Sequence, residues 1–305
     1  MKILFMGSPE ISVPFLELIH KKNCEIIVFT QKDKVRKRGK KLVPTPVKSR
    51  AIELDIPVHT VSAKSKKAFE IISEFSPDIT FVVAYGQILP DRILNASRLY
   101  PLNVHFSLLP KYRGATPVNT ALLNGDKTTG TTLMVMDSEL DTGDIVYQDK
   151  TEIEVTDNAS TLFVKLIDQS IKIVNDNWEH ISKGTIPRTP QPEDATYTKL
   201  IDKKDLILDM SLDGYEVINR IRAYNFDPGV KTSFREKPLF IEKAELLSEA
   251  SGPQGTIGDV NKDHFLVFCG KGALKILQVK PAGKRSMKAK EFINGYKPLA
   301  GEIFK

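Results

Sequence analysis

LNVHFSLLPKYRG, residues 102–114, decides how the first half of this chain is read. Side chains alternate along a strand, so Leu102, Val104 and Phe106 fall on one face and Asn103 and His105 on the other. Pro110 ends the extended run, because it has no amide hydrogen to give a ladder. The polar pair therefore stands near the C-terminal end of a strand. An amide and an imidazole placed there either satisfy each other in a partly buried sheet or meet a ligand.

Working outward, strand and helix signals alternate. KILFMG (2–7) is a buried strand, Ser8 is expected to cap the next helix, and Pro9 suits its first position. Val13, Phe15, Leu16 and Ile19 are the expected inward positions. CEIIVFT is a second strand, TPVKSRAIELD a second helix after Thr45, and DITFVVAYG a third strand. Such alternation predicts an α/β layer structure with a mainly parallel sheet. In open sheets of this kind ligands bind beyond the C-terminal strand ends, the edge on which Asn103 and His105 fall. TTLMVMD and GDIVYQDKTEI are expected to form an antiparallel pair, and STLFVKLIDQSIKIVNDNWEHI one long helix.

Composition then changes. KGTIPRTPQPEDATYTK carries Pro187, Pro190 and Pro192 among polar residues and reads as a connection. Beyond it, one helix (LDGYEVINRIRAY) precedes short β-rich runs separated by glycine turns: LFIEKAEL, GTIGDV, HFLVFC and ALKILQVKPAG. These predict a small β-barrel. The expected organisation is a first domain over 1–188, a linker over 189–206 and a barrel over 207–305.

The 305 residues are 41% hydrophobic and 27% charged, ordinary values for a globular chain. Two cysteines, Cys24 and Cys269, exclude a disulfide framework and suit a reducing, cytoplasmic setting. No apolar run approaches the roughly 18 residues of a membrane helix, and MKILFMGSPE is too short in its apolar part for a signal peptide. The five histidines lack ligand spacing, so no metal is expected. GSPEIS after the first strand has one glycine where a dinucleotide fingerprint needs several.

MDSELDTGDIV places Asp137, Glu139, Asp141 and Asp144 on a glycine-turned loop. Such a loop either solvates a bend or delivers a carboxylate to the histidine. An amide, an imidazole and a carboxylate together suit attack by an amine on an acyl carbon. Donors hold the oxyanion and the carboxylate orients the ring or moves the proton.

Residues 32–41 hold seven basic side chains and one acid, Asp33, between a strand end and a helix on the ligand edge. Residues 280–290 carry five basic residues and no acid. With a net charge of +6, two basic stretches far apart in sequence favour a long polyanion over a small anion.

NVHFSLLPKYRGATPVNTALLNGD together with MDSELDTGDIV resembles the folate-dependent formyltransferase family, over nearly the whole chain. The resemblance implies a Rossmann-like formyltransferase domain and an OB-like C-terminal β-barrel. It implies Asn103, His105 and Asp141 as the catalytic trio and 10-formyltetrahydrofolate as formyl donor, without a metal. It implies folate contacts at Ser107, Leu108, Leu109 and Pro110, and at Gly86, Gln87 and Ile88 in AYGQILP. RGKKLVPTPVK, INRIRAYN and QVKPAGKRSM are similar to the members that act on charged initiator tRNA. That likeness implies methionyl-tRNA as acceptor, for translation initiation, by a monomer. It implies tRNA contacts at Arg36, Lys37, Arg38, Lys40 and Lys41 and at Lys284 and Arg285. Two positions depart from the family pattern: Ile11, where an aromatic residue is usual, and NFDPGV (225–230), which replaces a tryptophan-containing turn.

The trio alone leaves other readings open. A formyltransferase acting on a nucleotide sugar or glycinamide ribotide shares it, but needs neither the basic stretch nor the barrel. A non-catalytic RNA-binding protein on the same scaffold, or a hydrolase that deformylates folate, are the remaining readings.

Overall fold

The computed structural model describes residues 1–35, 42–225 and 229–304. They form two compact units. The first comprises Met1–Pro117, Thr129–Glu152 and Phe163–Thr198, and the second Val118–Thr128, Ile153–Leu162 and the chain from Lys199.

In chain order the strands of the first unit are β1 (Lys2–Gly7), β2 (Glu25–Phe29), β3 (Lys34–Val35), β4 (Leu42–Val43), β5 (Val58–His59), β6 (Ile79–Val83), β7 (Tyr100–His105), β8 (Thr128–Val135) and β9 (Ile145–Glu152). Seven of them make one sheet in the order β5-β2-β1-β6-β7-β8-β9. From β5 to β7 every pairing is parallel, and β8 then runs antiparallel to β7 with His105 opposite Thr132. Leu4, Phe5 and Met6 of β1 are fully buried, as both faces of a parallel sheet must be. One face receives α1 (Val13–Lys21), whose Phe15, Leu16 and Ile19 are buried, while Val13 is only half-buried. The other core cluster joins Leu4, Met6, Ile27 and Phe29 to Ala68 and Ile72 of a later helix, α3 (Lys66–Phe75). Between these lies α2 (Pro46–Glu53), started as expected by Thr45, whose side chain accepts from the Lys48 amide at 3.1 Å.

Two expectations fail locally. Ser8 does not cap a helix: Pro9 is extended and a 3₁₀ turn, Glu10–Ser12, precedes α1. Ser8 Oγ instead donates to the Tyr85 carbonyl at 3.3 Å and accepts from the Gln31 amide at 3.2 Å, so it ties three strand ends together. The long helix is two. After α4 (Asp91–Leu94) and α5 (Pro117–Leu123) come α6 (Ala159–Asp176) and α7 (Trp178–Lys183). The break falls at Asn177, whose side-chain amide bonds the Ile173 carbonyl at 2.8 Å, the local competition with helix that asparagine brings.

The second unit contains α8 (Gly214–Ala223) and an antiparallel sheet of β10 (Val230–Phe234), β11 (Lys237–Leu247), β12 (Ile257–Val260), β13 (Phe265–Phe268), β14 (Ala273–Pro281) and β15 (Met287–Lys288), with α9 (Ala289–Tyr296) after it. The order is β10-β11-β14-β13-β12, with β15 beside β14. The C-terminal residues close it: Phe304 bridges Phe234 at the end of β10, and Ile303 bridges Thr256 at the start of β12. A sheet joined edge to edge in this way is a barrel. Phe234, Phe265, Phe292 and Phe304 fill it, with ring centroids 5.5–5.7 Å apart.

Candidate active site

Parallel pairing brings several chain segments to one edge of the first unit. Gly7 is level with Val83, and Val82 with Asn103. The residues after β1, β6 and β7 therefore emerge side by side. The chain reverses its direction of travel through the sheet between β1 and β6, so this edge is the topological switch point where such sheets bind ligands.

His105 is 5% exposed and is held at one ring nitrogen. Nε2 lies 2.9 Å from the Tyr112 carbonyl, which can only accept, so the proton of the neutral ring is on Nε2. Nδ1 then faces Asp141 Oδ2 at 3.6 Å. Nitrogen and oxygen would meet there as two acceptors, unless a proton on Nδ1 or a donor from a ligand lies between them. Asp141 is fixed in turn by the Gly114 amide, which donates to Oδ2 at 2.7 Å. Asn103, one position removed on the same face of β7, is also buried, and its amide has no hydrogen-bond partner among the described residues. An amide beside an imidazole and a carboxylate, with its own capacity unspent, can hold the oxygen of a bound carbonyl.

The acidic loop is sorted by its partners. Asp137 accepts from the Glu139 amide and from Thr142 Oγ1, and Asp144 pairs with Arg188 at 2.9 Å. Asp141 is the carboxylate that reaches His105. Gly143 is required there by close approach, since a Cβ would lie 1.8 Å from the Val135 carbonyl oxygen. Among the described residues no group of three or more His, Cys, Asp or Glu side chains is placed to hold a metal ion.

The 107–110 turn is held from below. Thr132 Oγ1 donates to the Ser107 carbonyl at 2.6 Å and accepts from the Leu109 amide at 3.2 Å. Gln148 donates to the Leu109 carbonyl at 3.0 Å. Ser107 itself is fully buried and its hydroxyl is committed to the Lys111 carbonyl. Leu109 is buried, whereas Leu108 and Pro110 are half-buried. At the neighbouring strand end Gly86 has φ +76°, and a Cβ there would come within 2.5 Å of the Gln31 amide. Gln87 is half-buried and Ile88 is 73% exposed. An apolar rim, an unspent amide and an imidazole beside a carboxylate fit a flat ring system that carries an acyl group.

Sequence reasoning missed the residues that hold this edge. The proline-rich segment, read as the start of a connection, is hydrogen bonded to the site loop over residues 189–198. The Arg113 amide donates to the Thr196 carbonyl at 2.8 Å, and the Thr198 amide to the Arg113 carbonyl at 2.8 Å. The Tyr112 amide donates to Thr196 Oγ1 at 2.8 Å. Gln191 spans the two loops: Nε2 donates to the Asp141 and Gly143 carbonyls at 2.8 Å each, while Oε1 accepts from Arg113 at 2.8 and 3.1 Å. No sequence pattern marks these residues, because most of their partners are backbone groups of a distant loop, with the Arg113 side chain beside them.

Of the residues expected at a polyanion, Lys284 and Arg285 are exposed in the turn between β14 and β15, with Arg285 3.9 Å from Glu291. Arg36, Lys37, Arg38, Lys40 and Lys41 lie outside the described residues, as do residues 226–228 of NFDPGV. What flanks the basic stretch is the small β3–β4 ladder, with Lys34 opposite Val43, and Lys48 paired to Asp33 at 2.8 Å.

Residues 1–176 match the formyl transferase family and residues 200–297 its C-terminal domain. A methionyl-tRNA formyltransferase of Kosmotoga olearia is 41% identical over 290 residues, 93% of each chain. One from Clostridioides difficile is 40% identical over 301 residues, 97% of each chain. Among solved structures, an N-formyltransferase from Helicobacter canadensis in complex with folinic acid and dTDP-3-aminofucose superposes with a TM-score of 0.67, at 22% identity, over 90% of this chain and 98% of that one. At that identity the likeness speaks for the fold.

Proposed function

We infer the chemistry of this edge from the family to which the chain belongs, the formyl transferases. The chain transfers the formyl group of 10-formyltetrahydrofolate to the α-amino group of methionyl-tRNA, for translation initiation. The relatives named for that acceptor match the chain over nearly their whole length, through the C-terminal domain.

The catalytic assignment is Asn103, His105 and Asp141. When bound, the folate supplies the formyl carbon to which the amine nitrogen adds. Asn103 Nδ2 donates to the formyl oxygen as it gains negative charge, and one such donor is worth on the order of 10²–10³ in rate. His105 cannot turn, because Nε2 is committed to the Tyr112 carbonyl. Nδ1 is then the ring atom at which a proton is held, between the oxygen and Asp141 Oδ2. Asp141 keeps its Oδ2 against the Gly114 amide and uses Oδ1 to take the proton that the amine loses as the new C–N bond forms. That proton goes to the departing folate nitrogen as the old C–N bond breaks. An α-amino group titrates near about 8, so a usable neutral fraction exists at pH 7.

Leu108, Leu109, Pro110, Gly86, Gln87 and Ile88 form the folate rim, with Ser107 shaping its turn. The basic stretch through Arg36, Lys37, Arg38, Lys40 and Lys41 holds the acceptor's phosphates, as do Lys284 and Arg285. The chain works as a monomer in the cytoplasm. No helix among the described residues is long and apolar enough to cross a membrane.

The observation that carries this reading is the locked imidazole, with Nδ1 3.6 Å from Asp141 Oδ2 beside an amide that has no partner among the described residues. Its test is formyl transfer to charged initiator tRNA, elongator methionyl-tRNA and methionine ethyl ester. Transfer to the initiator species should exceed the others by orders of magnitude in kcat/KM. Equal use of the ester would contradict the assigned acceptor, and folate-dependent formate release without an acceptor would favour a hydrolase.

A further inference from the structure

Asp141 has φ +55°, and Tyr112 has φ +62°. The two residues that touch His105 are thus both in the left-handed region, which side chains other than glycine seldom adopt. Such a conformation is strained and persists only where the surroundings over-determine it. Asp141 has two restraints of that kind. One is the Gly114 amide on its carboxylate. The other is Gln191, whose single amide nitrogen donates to the carbonyls of both Asp141 and Gly143 and so fixes the Asp141–Thr142 and Gly143–Asp144 peptide planes. A flipped Gln191 amide would put its oxygen against two carbonyl oxygens and its NH₂ against the Arg113 guanidinium, so the observed orientation is the one the network permits. Arg113 is itself buried, and Tyr197 holds its other side with a 3.0 Å hydrogen bond from Nη1 and a ring face 5.7 Å away.

We propose that Gln191, oriented by Arg113, is a positioning residue for formyl transfer: it holds the Asp141 backbone in the left-handed turn that aims the carboxylate at His105 Nδ1. The proposal rests on the catalytic reading of Asp141. It assigns to the proline-rich segment 189–198 a part in the chemistry in addition to its part in connecting the chain. A displacement of about 1 Å at a reacting group costs roughly 10²-fold in rate, so loss of the Gln191 restraint should lower kcat by about 10- to 100-fold. KM for either substrate should stay within about twofold, since Gln191 bonds only protein groups.

The test is a cycle of Gln191→Met, Asp141→Asn and the double variant, assayed for single-turnover formylation of methionyl-tRNA alongside the melting temperature of each. Gln191→Met keeps the length of the side chain and removes its hydrogen bonds. In the Asp141→Asn background, where no carboxylate is left to aim, adding Gln191→Met should cost less than about threefold. A structural role would instead slow both backgrounds equally. Gln191→Glu is the second variant, because it still accepts from Arg113 and offers no donor to the two carbonyls. It should fall with Gln191→Met, at a melting temperature closer to that of the unaltered chain. Wild-type kcat in Gln191→Glu or Gln191→Met, with Asp141→Asn inactive, overturns the proposal and leaves the catalytic trio standing. Wild-type turnover by Asp141→Asn overturns the trio, and the proposal with it.

Discussion

At the scale of single residues, the site depends on which capacities are spent and which are free. His105 Nε2, Asp141 Oδ2 and the Ser107 hydroxyl are all committed to backbone partners, so they orient the site. Among the described residues nothing commits the Asn103 amide, which leaves it for a ligand. The pair Asn103 and His105 was readable from alternation along one strand, and Asp141 from the residues alone as one of four acids on a loop, with the family resemblance pointing to it among them. What singles out Asp141 is that Asp137 and Asp144 are occupied by Thr142 and Arg188, which no spacing shows. Reactivity at the two cysteines follows the same logic. Burial, with Asp213 nearby, pushes the Cys269 thiol up to about 11, and burial also raises Cys24. At pH 8 both should therefore alkylate slowly in the native chain and rapidly in denaturant. Fast labelling of Cys269 in the native state would mean that the barrel core opens readily.

At the scale of elements, strand ends and loops are positioned by a few contacts whose loss should be measurable. The Lys2 amide and the Arg98 guanidinium hold the Asp78 carboxyl below the ordinary aspartate range, which ties the start of β1 to the start of β6. A depressed carboxyl contributes stability that is full above its unfolded pKa and is lost as pH falls through the folded one. Asp78→Asn should therefore cost about 1–2 kcal/mol at pH 7, with the gap to the unaltered chain shrinking below about pH 4. A gap independent of pH would show that the carboxylate charge is not what matters. Gly143→Ala puts a methyl group on the Val135 carbonyl and should cost at least 1–3 kcal/mol of stability. Its activity should fall further than its stability, because the same turn carries Asp141. The Ser8 and Asn177 expectations failed for a reason at this scale. Ser8 has the chemistry of a cap, and the apolar stripe around Asn177 that of one continuous helix. In each case a nearby backbone group competed for the side chain and won.

At the scale of the whole chain, the α/β order of the first unit and the barrel of the second were readable, since alternation and turn spacing report on regular elements. The closure of the barrel was not, because two residues near the C-terminus, Ile303 and Phe304, show no pattern of their own. Phe304→Ala should cost about 3–5 kcal/mol in the unfolding of the second unit, and a change under about 1 kcal/mol would mean that the barrel core packs without this ring. The attachment of residues 189–198 was equally hidden, for hydrogen bonds between side chains and a remote backbone leave no periodicity. Exposed charge at Lys284 and Arg285 was readable, and its role is testable with substrate. Lys284→Glu with Arg285→Glu should raise KM for methionyl-tRNA and steepen no other constant, leaving transfer to methionine ethyl ester unchanged. An equal loss on the ester would place these residues outside tRNA binding.

The central claim is that Asn103, His105 and Asp141 act together on a formyl group at the C-terminal edge of the sheet. It is tested most directly by single-turnover transfer from 10-formyltetrahydrofolate to methionyl-tRNA, with Asn103→Ala, His105→Ala and Asp141→Asn measured against the unaltered chain at saturating substrates. The account predicts that each variant binds both substrates and loses on the order of 10²–10³ in rate, and that the triple variant loses far less than the product of the three. Turnover within a few fold of the unaltered chain in any one of them would contradict it.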